Sequence, residues 1–134
     1  MAGYSGTPLA KKLGIAEGGR VSLVGAPTGF EALLDPLPGG VRFGSSRTAP
    51  VDLVLLFVDS AAVLEQRFGC EADRLDRAGM LWIAWPKKAS KRPTDLTEDV
   101  VRRIGLDAGL VDVKVCAIDD VWSGLKFVRR LRDR

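Results

Sequence analysis

Two stretches of this chain are apolar at nearly every position, and the rest is arranged around them. Val51 to Val58 is interrupted only by Asp52, and Gly79 to Pro86 is not interrupted at all. A strand that alternates can leave one face in water, whereas a strand apolar throughout must be covered on both faces, as in the middle of a parallel sheet. Both stretches therefore read as central strands lying side by side and running the same way. The second stops at Pro86, which has no amide to donate. Trp82 and Trp85 lie three apart on it and face opposite sides.

The shorter elements follow from punctuation. Thr7 caps, Pro8 opens and Gly14 closes a short helix. Arg20 to Gly25 reads as a first strand, followed by the turn Ala26-Pro27-Thr28-Gly29 and a helix with Phe30, Leu33 and Leu34 that Pro36 and Pro38 stop. A weak strand, Val41 to Phe43, precedes a polar loop from Gly44 to Pro50. Asp59-Ser60 caps a helix whose Val63, Leu64 and Phe68 face inward, and a further helical piece holds Ala72 and Leu75. Asp95 with Glu98, or Thr97 just inside, caps another helix reaching Gly109, with Val100, Val101, Ile104 and Ala108 at helical spacing. Val111, Val113, Val115 and Ala117 then alternate with Asp112, Lys114 and Cys116, a strand with one wetter face. Asp119 to Ser123 make a turn, and Gly124 to Arg129 return as an antiparallel partner, because so short a connection permits nothing else.

Strands separated by helices require crossovers, so the pattern predicts a three-layer, Rossmann-like α/β fold whose mostly parallel sheet ends in an antiparallel hairpin. At 134 residues the chain suits a single domain over 1–134. Apolar residues at 46% and charged residues at 28% are those of an ordinary globule. No apolar run approaches the roughly 20 residues of a membrane span, and Met1 to Thr7 lack a secretory pattern, so a cytoplasmic location is expected. Histidine is absent, which excludes Ser-His-Asp and Cys-His catalysis and imidazole metal ligation. Cys70 and Cys116, with 45 residues between them and in apolar surroundings, have no metal-ligand spacing and read as buried free thiols.

In such sheets ligands bind beyond the carboxyl ends of the strands. That rule gathers Gly25 to Gly29, Val58 to Ser60 and Trp85 to Lys91 at one mouth, with the turn Asp119 to Ser123 on the same edge. Candidate ligand-binding residues are Gly25, Thr28 and Gly29, whose turn can aim amides at an anion or serve only as a tight turn. Trp85, Lys87, Lys88, Ser90 and Lys91 put two adjacent ammonium groups at the end of a buried strand, with a solvated lysine loop as the alternative. Trp122 and Ser123 complete the set, Trp122 either holding a ligand or covering the core. Asp119 and Asp120 read as turn formers, and no catalytic or metal-binding residue is assigned. The net charge of +3 is uneven: Lys126 to Arg134 holds five cations and one anion, leaving the remainder at −1. Lys126, Arg129, Arg130 and Arg132 thus form a candidate basic patch, beside a second cluster at Lys87, Lys88, Lys91 and Arg92.

The order of elements, and especially "GLVDVKVCAIDDVWSGLKFVRR", resembles the Rossmann-like fold of S-adenosylmethionine-dependent methyltransferases. Over nearly its whole length the chain is similar to a small actinobacterial family of unknown function, through "YSGTPLAKKLGI", "LWIAWPKKAS", "DLTEDVVR" and "DVKVCAIDDVWSGLKFV". That resemblance implies a fold and no activity. Methyltransferases carry an acidic residue and a glycine triplet after the first strand, where this chain has Val24-Gly25-Ala26-Pro27-Thr28-Gly29. They carry an acidic residue after the second strand for the ribose hydroxyls, where it has Gly44-Ser45-Ser46-Arg47. One helix and one strand are also missing before Val51. The cofactor is therefore left unassigned. The leading expectation is a non-catalytic domain binding a small anionic ligand or a protein partner at the mouth, the basic hairpin assisting. A divergent methyltransferase is the alternative, and nucleic-acid binding through the basic end is a third reading, ranked last because that end lacks interleaved aromatics. Oligomeric state is left open.

Overall fold

The computed structural model describes residues 7–44 and 50–134. The chain runs α1 (Leu9–Leu13), β1 (Arg20–Val24), a 3-10 turn (Phe30–Leu34), β2 (Arg42–Phe43), β3 (Val51–Phe57), α2 (Ala61–Asp73), β4 (Leu75–Pro86), a 3-10 turn (Lys88–Ser90), α3 (Glu98–Asp107), β5 (Leu110–Ala117), β6 (Trp122–Arg129) and a last 3-10 turn (Leu131–Asp133). Six strands form one sheet in the order β2-β1-β3-β4-β6-β5. The first four are parallel, and β6 runs antiparallel to both β4 and β5. β3 and β4 pair from Leu53 opposite Met80 to Phe57 opposite Ala84, at the centre of the sheet as their composition requires.

Both faces are covered. On one, Val54, Leu56, Leu81, Ile83, Leu125 and Phe127 pack against Leu64 and Phe68 of α2 and Val101 and Ile104 of α3. On the other, Leu53, Leu55, Phe57, Trp82 and Ala84 pack against Ala10 and Leu13 of α1 and Phe30 and Leu34 of the first 3-10 turn. Trp82 and Trp85 divide between the two faces. The Trp82 indole N–H donates to the Leu13 carbonyl at 2.8 Å, which ties the end of α1 to the sheet centre. Gly14 then turns the chain out at φ +89°. Glu71, buried under α2, accepts from Arg74 at 2.7 Å and Arg67 at 3.0 Å, and Arg74 also donates to Ser22 of β1.

Several expectations are corrected. Thr7 does not cap α1; Pro8 occupies that position, without a side-chain bond. The expected helix after β1 is a single 3-10 turn, and its Leu33 is exposed. Val63 points outward from α2, and Leu75 opens β4 instead of ending a helix. Cys70 is exposed, leaving Cys116 as the buried thiol, whose pKa burial pushes up. On β5 the expected alternation fails: Val113 and Val115 are exposed while Leu110 and Cys116 are buried, and the register with β6 shifts between Asp112 and Lys114, so that Leu110 and Cys116 pack on opposite faces of the sheet. Trp122 and Ser123 belong to β6 instead of the preceding turn.

Two tests follow from this packing. A Cβ at Gly105 of α3 would overlap the Phe127 ring, so Gly105→Ala is expected to lose about 1–3 kcal/mol in urea unfolding. Arg20 donates to Asp52 through its backbone amide and its guanidinium and holds that carboxyl below its ordinary value of 3.8. The stability gained is present above that ordinary value and is lost as pH falls through the lowered one. Asp52→Asn should therefore flatten the fall of the urea midpoint below about pH 4.

Candidate functional site

β1, β3 and β4 end on one edge of the sheet, and β6 begins there with Trp122 opposite Pro86. Between them lies a cleft of about 320 Å³, lined by Gly25, Pro27, Phe57, Val58, Asp59, Arg92 and Trp122. Its size falls within the roughly 300–1,000 Å³ of small-molecule sites. Gly25 is required by the geometry. Its φ is +71°, and a Cβ there would stand 3.0 Å from the Phe57 carbonyl oxygen, so only glycine lets the β1 turn lie this close to the end of β3.

The wall is aromatic. Phe57 meets Phe30 and Trp122 edge to face, with ring centres 4.9 Å and 5.0 Å apart. The Arg92 guanidinium carbon sits 5.1 Å above the Trp122 ring, within cation–π range. Trp122 is set by Asp119, whose carboxylate accepts the amides of Val121 and Trp122 at 2.8 Å each. Asp59 extends from the end of β3, and its carbonyl accepts from the Thr94 hydroxyl at 2.7 Å. Asp95 does not cap its own helix: its carboxylate accepts the Ala61 amide at 2.8 Å, at the start of α2, while Thr97 caps α3. These two bonds join the segment before α3 to the junction of β3 and α2.

Of the residues singled out in the sequence, Gly25 and Trp122 line the cleft. Thr28 and Gly29 lie exposed on the same turn, outside the lining. Lys87, Lys88, Ser90 and Lys91 form the loop after β4 at the same edge, with Lys88 and Lys91 exposed. Ser123 is half-buried in β6, opposite Trp85 and Ala117. Trp85 itself is buried on the α2 and α3 face, so it has no open ring to stack on a ligand. Pro27, Phe57, Val58, Asp59 and Arg92 also line the cleft, although none is among the candidate ligand-binding residues. The rule for strand ends places the loop of Asp59 at this mouth, and the charge pattern marks Arg92, but that the two share one lining depends on tertiary contact.

The basic end cannot assist at this cleft. β6 runs away from Trp122, so Val128 lies opposite Met80, toward the far edge of the sheet. Arg129 is spent on the Ala72 and Leu75 carbonyls at 2.9 Å and 3.0 Å. Arg132 approaches Asp133, Arg130 is half-buried, and Lys126 lies half-buried in the sheet, its pKa lowered by burial and then by Lys114. The Ser45, Ser46 and Arg47 positions after β2 lie outside the described residues. Among the described residues no helix is long and apolar enough to cross a membrane.

No family model and no curated protein matches the sequence. Solved structures similar to it include magnesium protoporphyrin IX methyltransferase from Synechocystis PCC 6803 with bound S-adenosylmethionine, at 14% identity and TM-score 0.61 over 91% of this chain and 74% of that one. Another is precorrin-6y C5,15-methyltransferase from Geobacter metallireducens GS-15, at 12% identity and TM-score 0.58 over 91% and 86%. A third is Aeropyrum pernix fibrillarin with natively bound S-adenosyl-L-methionine, at 16% identity and TM-score 0.58 over 94% and 70%. The fold is thus the Rossmann-like, methyltransferase-like α/β fold. The expectation of a non-catalytic binding domain is corrected by these likenesses, since several of the structures sharing the fold are named as methyltransferases.

Gly25→Ala forces a side chain into the left-handed region and against the Phe57 carbonyl. It should lower stability by roughly 1–2 kcal/mol, read as a lower thermal midpoint; an unchanged midpoint would show that the turn is not held as described.

Proposed function

We propose that this chain is a divergent S-adenosylmethionine-dependent methyltransferase domain working at the cleft beside Gly25. The observation that carries the reading is the position of that cleft, at the carboxyl ends of β1 and β3 in a sheet of the methyltransferase-like fold. Ligands in open α/β sheets take that position.

The residues present suit part of the cofactor. Its sulfonium and ammonium groups are positive, and Asp59 is the one carboxylate among the cleft-lining residues. Gly25 presents bare backbone at the turn, and Phe57 and Trp122 form a wall that excludes water. The ribose hydroxyls have no matching acid, since residues 44–50 contain neither Asp nor Glu. When bound, the cofactor supplies an electrophilic methyl group. Asp59 would hold the positive end, the Gly25 turn would lie along the chain of the ligand, and Trp122 would close the wall. Membership in the small actinobacterial family and a cytoplasmic setting accompany this proposal.

Calorimetry of the full chain with S-adenosylmethionine tests it. Binding is expected, and Asp59→Asn should weaken it about tenfold or more, the usual effect of losing a charged partner. No heat of binding at millimolar cofactor would refute the reading.

A further inference from the structure

Lys87, Lys88, Lys91 and Arg92 stand within six residues at the same sheet edge as the cleft, and none is ion-paired to a carboxylate of the described residues. Residues 1–6 and 45–49 contain no acid that could pair with them. Elsewhere Arg20, Arg74 and Arg102 are each matched to carboxylates within 3.2 Å. The acids near the loop are largely spent: Asp95 on the Ala61 amide, and Asp119 on the Val121 and Trp122 amides. Asp59 and Asp120 remain against four cations.

The loop is also built instead of hanging free. The Lys87 amide donates to the Val121 carbonyl at 2.7 Å, and the Ser90 hydroxyl to the Lys87 carbonyl at 2.7 Å. The Arg92 amide donates to the Ser90 oxygen at 3.3 Å. Lys91 adopts φ +60°, the left-handed region where glycine would fit without cost. Among the described residues it is the single non-glycine in that region. A lysine held in an unfavourable backbone state at the mouth of a cleft points to work done by its side chain. Arg92, stacked on Trp122, carries the positive charge into the cleft wall.

We infer that the loop of residues 87–92 seats the oxyanion group, phosphate or carboxylate, of a small methyl acceptor, with Arg92 guiding that acceptor into the cleft. The inference rests on the methyltransferase reading and names the substrate class for the same site. Four clustered ammonium and guanidinium groups attract such a group at long range and hold it by charge-assisted hydrogen bonds at short range. The small volume of the cleft favours a small molecule over a polymer.

The test is a titration of the isotope-labelled full chain with pyrophosphate, and separately with citrate, followed by backbone amide shifts, with cofactor binding measured in parallel. Saturable shifts confined to residues 87–92 and Trp122 are expected. Lys88→Ala with Lys91→Gly should weaken them about tenfold and leave cofactor affinity within about twofold, since neither lysine belongs to the cofactor's part of the cleft. Glycine relieves the backbone at Lys91, so loss of binding there cannot be ascribed to unfolding. Preference for pyrophosphate assigns a phosphate, and preference for citrate a carboxylate. Unshifted amides, or equal shifts in the variant, overturn the inference, as does tighter, length-dependent binding of a single-stranded oligonucleotide. Cofactor binding without anion binding sinks this inference alone; anion binding without cofactor binding sinks the methyltransferase reading on which it rests.

Discussion

The architecture depends on one constraint: β3 and β4 are apolar on both faces and so must be covered twice. β3 has a single polar residue, Asp52, and that residue lies near the strand's start, where Arg20 reaches it. Everything beyond it must be buried. α2 and α3 cover one side, while α1 and the 3-10 turn after β1 cover the other with much less chain. Burial at about 25 cal/mol per Å² of apolar surface makes these two strands the strongest organising element in the sequence. The thinner layer is closed by a specific bond, the Trp82 indole on the Leu13 carbonyl, which a buried indole N–H would otherwise lack.

The central pair, its parallel direction, the opposed tryptophans and the caps at Ser60 and Thr97 are all legible from residue order, because each depends on neighbours a few positions away. What escaped depends on distance. Asp95 looks like a cap for α3, yet it bonds an amide 34 residues earlier, across the mouth of the sheet. Asp59 and Arg92 are unremarkable as single residues and become a charged pair of walls only through tertiary arrangement. The alternation of β5 misleads because β5 is an outer strand and one shift of register sends Leu110 and Cys116 to opposite faces of the sheet.

Charge shows the same limit in a sharper form. Counted along the chain, the basic end and the lysine loop look like two halves of one positive surface. The antiparallel direction of β6 sends them to opposite edges, and Arg129 spends its donors on the carbonyls after α2. Among the described residues the loop of residues 87–92 keeps unmatched cations beside the cleft. Strand direction therefore decides which of the two basic clusters lies at the cleft edge and which at the far one.

The strand order carries a consequence for how the chain comes together. β5 is made before β6, yet among the described residues β6 is its one neighbour in the sheet and stands between it and β4. β5 and β6 are joined by residues 118–121 and pair as a local hairpin, so the distant step is the docking of β6 against β4. That non-local closure slows folding and leaves the edge of β4 open in the meantime. In the finished sheet β5 is an outer strand, and the register shift between Asp112 and Lys114, with the lysine's charge, breaks the regularity of that edge and discourages a further strand from joining it.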